Sequence, residues 1–215
     1  MRRTRTPAAP ARTQVQRMPA RRTQAQRKQE TRGQLLDAAL EQLVLAGLAA
    51  FTTTEVCRRA GLSQGALFKH FPAKSELLAA VAEHLFLQLR ARFEAAFVAL
   101  PKKQRNVHGG LALLWAQMLD PRLAAAVELY TAARTDRELG ARLAPVVRAH
   151  IAHIEAFTVT LVELGDPARV RTATGLAIAA IQGLVLNQLA LPDASQIKRL
   201  KADLDVLGAL LFASA

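Results

Sequence analysis

The stretch that decides the fold reads Phe51-Thr-Thr-Thr-Glu-Val-Cys-Arg-Arg-Ala-Gly-Leu-Ser-Gln-Gly-Ala-Leu-Phe-Lys-His-Phe71. Its first half predicts a short helix, because the hydroxyl of Thr52 or Thr53 can accept hydrogen bonds from the free amides at a helix N-terminus. Thr52 and Glu55 also have the spacing of a capping box. Gly61 can adopt the left-handed conformation that ends such a helix. The stretch therefore predicts two short helices joined by a tight turn.

The second of these helices has two different faces. Leu67 and Phe71 are spaced to pack against the protein, while the residues beside them are small or polar. In a helix-turn-helix the second helix enters the major groove of DNA, where Gly65 and Ala66 would allow a close approach. The amide of Gln64 can pair with adenine, and the Ala66 methyl group can meet a thymine methyl group. This pattern predicts a surface that reads DNA bases, with the nearby cations and threonines holding phosphates.

Charge is concentrated at the N-terminus. Residues 1–32 carry ten basic residues and one acidic residue, a net +9, whereas the remaining 183 residues carry only +3. We expect residues 1–30 to form a flexible basic arm. Either the arm is a solvated tail, or it follows the DNA backbone or minor groove through basic residues. The residues expected to do so are Arg17, Arg21, Arg22, Arg27, Lys28 and Arg32.

The rest of the chain predicts helices only. Apolar residues recur at spacings of three and four from Thr31 onward, and no sustained alternation typical of strands follows. Proline and glycine breaks indicate nine or ten helices, with a long one over Ala73 to Leu100. Pro145 leaves two alternatives, a kink in one helix from Asp136 to Leu164 or the start of a second helix. The region from Pro167 to Ala190 predicts a helix that is apolar on most sides.

Several segments resemble the TetR family of bacterial regulators, over Thr31 to about Phe86. They are Leu36-Asp-Ala-Ala-Leu40, Gly47, the threonine cluster, Arg59-Ala-Gly-Leu-Ser63, Gly65, Leu67-Phe-Lys-His-Phe71 and Lys74-Ser-Glu-Leu-Leu78. The resemblance implies an all-α homodimer with a three-helix DNA-binding head, a long connecting helix, and a helical ligand-binding and dimerisation domain. Position 68 departs from the family, which usually has Tyr there. Phe68 lacks that hydroxyl, so Lys69 or the arm is expected to replace its backbone contact.

The resemblance also assigns roles by position. Thr54, Lys69, His70 and Lys74 would contact phosphates, and Gln64 to Ala66 would face bases. The domains expected are residues 1–30 as the arm, 31–78 as the DNA-binding domain and 79–215 as the regulatory and dimerisation domain. The full set of expected DNA-binding residues is Thr52, Thr53, Thr54, Ser63, Gln64, Gly65, Ala66, Phe68, Lys69, His70, Lys74 and Arg32.

A ligand pocket and a dimer interface are expected in the C-terminal domain. Apolar side chains with a few polar groups are what such pockets require, and the candidates are Trp115, Met118, Tyr130 and Phe157. The helix from Pro167 is too apolar to remain exposed, and Gly183 would permit the close approach of a second copy. The interface candidates are Ile154, Leu161, Ile178, Ile181, Gly183 and Leu186.

Other functional classes find little support in the residues. The sequence contains no nucleophile elbow, phosphate-binding glycine loop or zinc signature, so we expect no catalytic residue, metal or cofactor. His150 and His153 have a spacing that a metal could use, but no third ligand accompanies them. Cys57 is expected to be a buried apolar residue. We read no signal peptide or membrane span, and expect a cytoplasmic, nucleoid-associated protein.

The sequence therefore predicts a transcription regulator that binds a palindromic DNA operator as a homodimer. We expect a repressor that a small apolar ligand releases from the operator. The alternative is a DNA-bound scaffold of the same fold that is regulated by a protein partner instead of a metabolite. A helical core without a cavity would favour that alternative.

Overall fold

The computed structural model describes residues 23–118, 120–161 and 166–191, together with residues 195, 198, 199, 202, 203 and 206. These residues form eight α-helices and no strand, so the predicted all-α fold is confirmed, while the breaks in the whole chain had indicated nine or ten helices. Residues 1–22, which hold most of the predicted arm, lie outside the described part. The helices are α1 (Gln24–Ala46), α2 (Thr53–Ala60), α3 (Gln64–His70), α4 (Lys74–Ala99), α5 (Val107–Met118), α6 (Arg122–Ala133), α7 (Arg137–Leu161) and α8 (Pro167–Ala190), with a 3-10 turn at Lys102–Gln104.

Helix α1 begins at Gln24, earlier than the expected boundary at Thr31. Thr23 and Gln26 form a capping box, in which the Gln26 amide donates to the Thr23 hydroxyl at 3.2 Å and the Thr23 amide donates to Gln26 Oε1 at 2.8 Å. Two free amides are satisfied in this way. The basic residues Arg27, Lys28 and Arg32 therefore project from a helix and not from a flexible segment.

Helices α2 and α3 form the predicted helix-turn-helix. Thr52 caps α2 by accepting from the Glu55 amide at 3.3 Å, and Ser63 caps α3 by accepting from the Ala66 amide at 3.1 Å. The capping box at Thr52 is incomplete, because the Glu55 carboxylate instead binds Arg58 at 2.7 Å. Gly61 ends α2 with a φ of +66°, as predicted.

One hydrophobic core joins the DNA-binding head to the rest of the molecule. Leu35 of α1, Leu67 of α3, Leu85 of α4 and Leu129 of α6 are all fully buried in it. Helix α4 packs against α1 on one side and against α7 on the other. With 26 residues it spans about 40 Å, so it reaches from the head into the C-terminal bundle.

Helix α7 is a single helix with Pro145 inside it. Proline removes one backbone hydrogen bond of a helix. Pro145 is exposed, so the carbonyl that loses its partner can be hydrated. Of the two alternatives at this proline, the structure has the continuous helix.

Two glycine substitutions should change stability in opposite directions. A Cβ at Gly61 or at Gly33 would meet nothing within 4 Å, so only the backbone distinguishes them. Gly61→Ala should lower the free energy of unfolding by about 1–2 kcal/mol, because its φ is left-handed. Gly33→Ala should raise it by up to about 1 kcal/mol, because Gly33 lies inside α1. Urea denaturation checks both, and a shift in the same direction for both would contradict the assignment.

Candidate functional site

The solvent-facing side of helix α3 carries small residues, polar residues and one exposed aromatic ring. Leu67 is completely buried and Phe71 is 1% exposed, as the sequence predicts, whereas the neighbouring Phe68 is 45% exposed. Gly65 and Lys69 are also exposed, and Gln64 and Ala66 are half-buried. The side chains expected to face DNA are therefore on the outer side of the head, and none of them is part of the core.

The Gln64 amide is held by the threonines of α2. Its Nε2 donates to Thr54 Oγ1 at 2.8 Å, and Thr53 Oγ1 donates to Gln64 Oε1 at 3.4 Å. These hydrogen bonds fix the start of α3 against the start of α2. They also restrict the orientation in which the amide could meet a base, since its donor and its acceptor are both directed by the threonines.

A group of cations lies beside α3. The Arg32 guanidinium lies over the Phe71 ring, with 5.2 Å between its Cζ and the ring centroid, so α1 brings a cation to this surface. Burial lowers the pKa of His70, and the positive charges of Lys28, Arg32 and Lys69 lower it further. The effect of these charges on His70 indicates that the three cationic side chains and His70 share one neighbourhood.

Lys74, which was expected to contact a phosphate, and two arginines of α2 have partners within the head. Lys74 Nζ donates to the Phe51 carbonyl at 2.9 Å and lies 5.4 Å from the centroid of the Phe51 ring, which ties α4 to the start of the helix-turn-helix. Arg58 and Arg59 both bind Glu55, at 2.6 and 2.8 Å. The hydrogen bond from Arg58 is the main reason that the pKa of Glu55 falls to about 2. Glu55 therefore neutralises part of the positive charge on α2.

A cavity of about 200 Å³ lies among α4, α5, α6, α7 and α8. Its walls are mainly aromatic and aliphatic. Phe93 and Phe157 belong to these walls, and the Phe157 ring is edge-on to Phe93 and to the buried Phe97, at 5.9 and 6.1 Å. An apolar cavity of roughly 150 Å³ is enough to hold benzene, so this one has room for a small ring system. Representative lining residues are Leu89, Phe93, Leu111, Tyr130, Ile154 and Ile181.

One side of the cavity is polar. The Arg90 guanidinium donates to His150 Nδ1 at 3.1 Å, and the His150 ring is stacked on Phe86 with 4.1 Å between centroids. Burial lowers the pKa of His150 to about 4, with a further contribution from the Arg90 charge. Burial also raises the pKa of Tyr130 to about 12. Both rings are therefore neutral at physiological pH.

Some of the residues that were expected in the pocket or at the dimer interface line the cavity, and others do not. Tyr130 and Phe157 line the cavity, whereas Trp115 is half-buried on α5 and does not line it. The side chains of Met118 and Leu161 lie outside the described part. Ile154, Ile178 and Ile181, expected at the dimer interface, line the cavity, where α8 packs against α6 and α7. Gly183 and Leu186 are exposed on α8.

Sequence reasoning did not find the charged residue of the cavity. Arg90 lies on α4 close to the cavity-lining Phe86, Leu89 and Phe93 in sequence. Its helical spacing from these apolar residues could have indicated that it faces inward. His150 and His153, which were considered as metal ligands, bind Arg90 and Glu94 instead, the latter at 2.8 Å.

Helix α8 has an apolar face that the described residues leave uncovered. Leu176, Ala179, Gly183 and Leu186 follow one another at spacings of three and four and are all exposed. Residues 167–187 of this helix are long and apolar enough to cross a membrane by length and composition, with 29% buried in the described part of the molecule. A helix that packs against protein passes the same test, so this observation does not by itself indicate a membrane.

Comparisons with known proteins agree with this geometry. Residues 35–81 match the family model for bacterial regulatory proteins of the tetR family. A helix-turn-helix transcriptional regulator of Mycobacterium tuberculosis is 32% identical over 133 residues, which cover 62% of this chain and 68% of that protein. The chain belongs to the TetR family. This membership makes it a DNA-binding transcription regulator and not an enzyme, of a soluble, cytoplasmic class.

Other TetR-like proteins extend the comparison. The regulator CymR of Pseudomonas putida is 38% identical over 121 residues, covering 56% of this chain and 60% of that protein. A transcriptional regulator from Rhodococcus sp. RHA1 superposes with a TM-score of 0.67 at 22% identity, over 84% of this chain and 95% of that one. The structure of EbrR, described as a multidrug binding protein complexed with imidazole, superposes with a TM-score of 0.61 at 23% identity, over 83% and 89%. At these identities the solved structures support the fold.

The environment of His150 predicts a pH dependence of stability. Its folded pKa of about 4 is below the ordinary 6.5, so the unfolded chain takes up this proton more readily. The free energy of unfolding should therefore fall as pH is lowered from 6.5 to about 4. His150→Phe preserves a ring against Phe86 without the proton site, and its stability should fall less over that range. Urea titrations at each pH measure this, and identical pH dependence in both proteins would refute the prediction.

Proposed function

We propose that this protein is a homodimeric repressor that binds a palindromic operator and is released from it by a small, largely apolar ligand. The observation that carries the DNA-binding part is the outward Gln64, Gly65 and Ala66 surface of α3, flanked by cations from α1 and α3. The cavity between α4 and α8 supports regulation by a metabolite over regulation by a protein partner. Such a regulator would be associated with the nucleoid.

The residues of α3 suit contacts with bases. Gly65 lets the backbone approach the groove floor closely, and the exposed Phe68 ring can contact a thymine methyl group, in place of the hydroxyl contact that a tyrosine would make. Gln64 would reach a base while the threonines of α2 hold its amide in a defined orientation. We assign direct base contacts to these residues and to Ala66.

Phosphate contacts are assigned to the rim of this surface. Lys69 and Thr54 are exposed there, while His70 is half-buried, and Arg32 approaches from α1. The amide groups at the starts of α2 and α3 lie beside Thr52, Thr53 and Ser63, whose hydroxyls cap these helices or bind Gln64. Lys74 has further N–H donors besides the one that binds the Phe51 carbonyl, so it can also hold a phosphate. We retain the hypothesis that basic residues preceding α1 extend this contact.

The exposed face of α8 is the proposed dimer interface. Leucines flank a small residue on this face, and Gly183 would let two copies of the helix approach closely. Leu176 and Leu186 are each more than half exposed in the single chain, and such an apolar face is typically covered by protein. The interface we propose therefore uses Gly183 and Leu186 but not the isoleucines that line the cavity.

Ligand binding can reach the DNA head through α6. Val127 and Tyr130 of this helix line the cavity, and Glu128 between them points the other way, where its Oε2 accepts from the Leu48 amide at 2.5 Å. Leu48 lies in the loop between α1 and α2. A ligand that shifts α6 would therefore move the loop that positions the helix-turn-helix, and a coupling of about 1–3 kcal/mol would change DNA affinity roughly 5- to 150-fold.

The DNA-binding proposal predicts distinct effects for two variants. Genomic fragments selected with purified full-length protein should share a palindrome with half-sites ~34–36 Å apart. Lys69→Ala should weaken binding to every sequence alike and reduce the salt slope by about 1 for each protomer, which is about 2 for the homodimer. Gln64→Ala should relax the preference for one base pair in each half-site, at a cost of roughly 1–3 kcal/mol. Fluorescence anisotropy over a range of salt concentrations measures both effects.

Lys102→Ala is the matched control for the lysine variant. Lys102 is an exposed lysine in the 3-10 turn after α4, away from the head. Its removal should leave operator affinity and salt slope as they are in the unaltered protein. The DNA-binding assignment would be refuted by a selection without a shared motif, or by equal effects of the two lysine variants.

The dimer interface is tested by two leucine variants. Leu186 is 55% exposed on α8 and Leu87 is 51% exposed on α4. In the single chain, both positions can therefore accommodate a glutamate equally well. Leu186→Glu should yield a monomer with little operator affinity, because it places charges against each other in a closely packed interface. Leu87→Glu should remain dimeric. Sedimentation velocity measures the mass, and a monomeric unaltered protein would overturn the assignment.

A further inference from the structure

The polar side of the cavity contains a positive charge without a negative partner. Arg90 binds His150 Nδ1, and no carboxylate among the described residues forms an ion pair with it. Glu94, one turn further along α4, instead accepts a hydrogen bond from His153 at 2.8 Å, and both side chains are partly exposed. A guanidinium in a mainly apolar wall is costly to desolvate unless an anion accompanies it.

Two hydrogen-bond donors lie around the Phe86 ring, and one of them, His150, binds Arg90. Arginine can only donate, so His150 Nδ1 must be the acceptor in their hydrogen bond, and the proton of this neutral ring is on Nε2. The Tyr130 hydroxyl has no hydrogen-bond partner among the described residues, and its raised pKa keeps it protonated. His150 and Tyr130 flank the same ring, with Phe86 at 4.1 and 6.5 Å from them.

We propose that the ligand is an apolar acid, an aromatic or aliphatic body with one carboxylate, and that Arg90 is the residue that selects its anionic group. This inference rests on the proposed function of the cavity and deepens it. The phenylalanines at the other side of the cavity would hold the apolar body, while the remaining N–H groups of Arg90 bind the carboxylate and His150 Nε2–H or the Tyr130 hydroxyl donates a second hydrogen bond.

The other charged groups near the cavity are compatible with an anion. On α4 the charged residues are Arg90 and Glu94, and on α7 the titratable residues are His150, which is neutral, and His153. Glu94 would repel a carboxylate, but it is already bonded to His153 at the more exposed end. The described lining residues of α5, α6 and α8 are uncharged. The carboxylate is therefore expected beside Arg90, and the apolar body is expected to extend toward Phe157.

A pair of matched probes tests the proposal. 2-Naphthoate is ionised at neutral pH, whereas 2-naphthamide has the same ring system without charge. Calorimetry with the full-length protein should give roughly 10- to 100-fold tighter binding of the acid, the usual range for a hydrogen bond to a charged group. Arg90→Gln should remove most of this preference and change the affinity for the amide little. Arg92→Gln, which removes a charge from the exposed side of the same helix, should preserve it.

Further measurements keep the outcomes distinct. Operator binding by Arg90→Gln shows that the variant is folded, and Arg90→Lys should restore part of the preference for the acid. Equal binding of acid and amide, or an acid affinity that is unaffected by Arg90→Gln, would overturn the inference and leave a cavity for neutral ligands. If neither probe binds, nor any acid or amide in the paired phenylacetyl and octanoyl series, the proposed ligand site fails together with the inference. Binding of the acid without release of DNA would support the inference and contradict the proposed mechanism of release.

Discussion

The packing of α4 against α1 on one side and against α7 on the other is the constraint on which the rest of the structure depends. Leu77, Leu85 and Phe86 are buried along this helix, so the head and the C-terminal bundle share one core. The two parts cannot move independently without exposing apolar surface, which costs roughly 25 cal/mol for each Å². A displacement of helices in the bundle would therefore disturb the packing of the head, because both parts belong to the same core.

The cavity is the place where this core is incomplete. Interiors of proteins are generally packed to the density of organic crystals, yet about 200 Å³ is left open among five helices. Its walls combine the rings of Phe93 and Phe157 with the Arg90 guanidinium, which is on the same helix as Phe93. A ligand of matching shape would restore these dispersion contacts. Its binding would therefore raise the free energy of unfolding.

Local features of the fold could be predicted from the sequence, whereas features that depend on how the helices pack could not. The threonine cap of α2, the left-handed Gly61 and the buried Leu67 follow from spacing and residue type alone, and the structure confirms them, with Thr52 as the cap. The cavity does not follow in this way, because it depends on which faces of α7 and α8 turn inward. Both helices are apolar on several sides, so periodicity could not decide whether Ile181 lines a cavity or an interface.

The contact between Glu128 and Leu48 gives the coupling between cavity and head a definite direction. A Cβ at Gly47 would lie 3.2 Å from Glu128 Oε2, so the carboxylate fits closely against the loop and has little room to move separately from it. Its hydrogen bond to the Leu48 amide must be kept or replaced by water whenever α6 shifts. The neighbouring Val127 and Tyr130 face the cavity, so the same helix contacts both the cavity and the loop before α2. If a ligand displaced this helix, as the proposed mechanism of release requires, reciprocity would make DNA binding alter ligand affinity by the same factor.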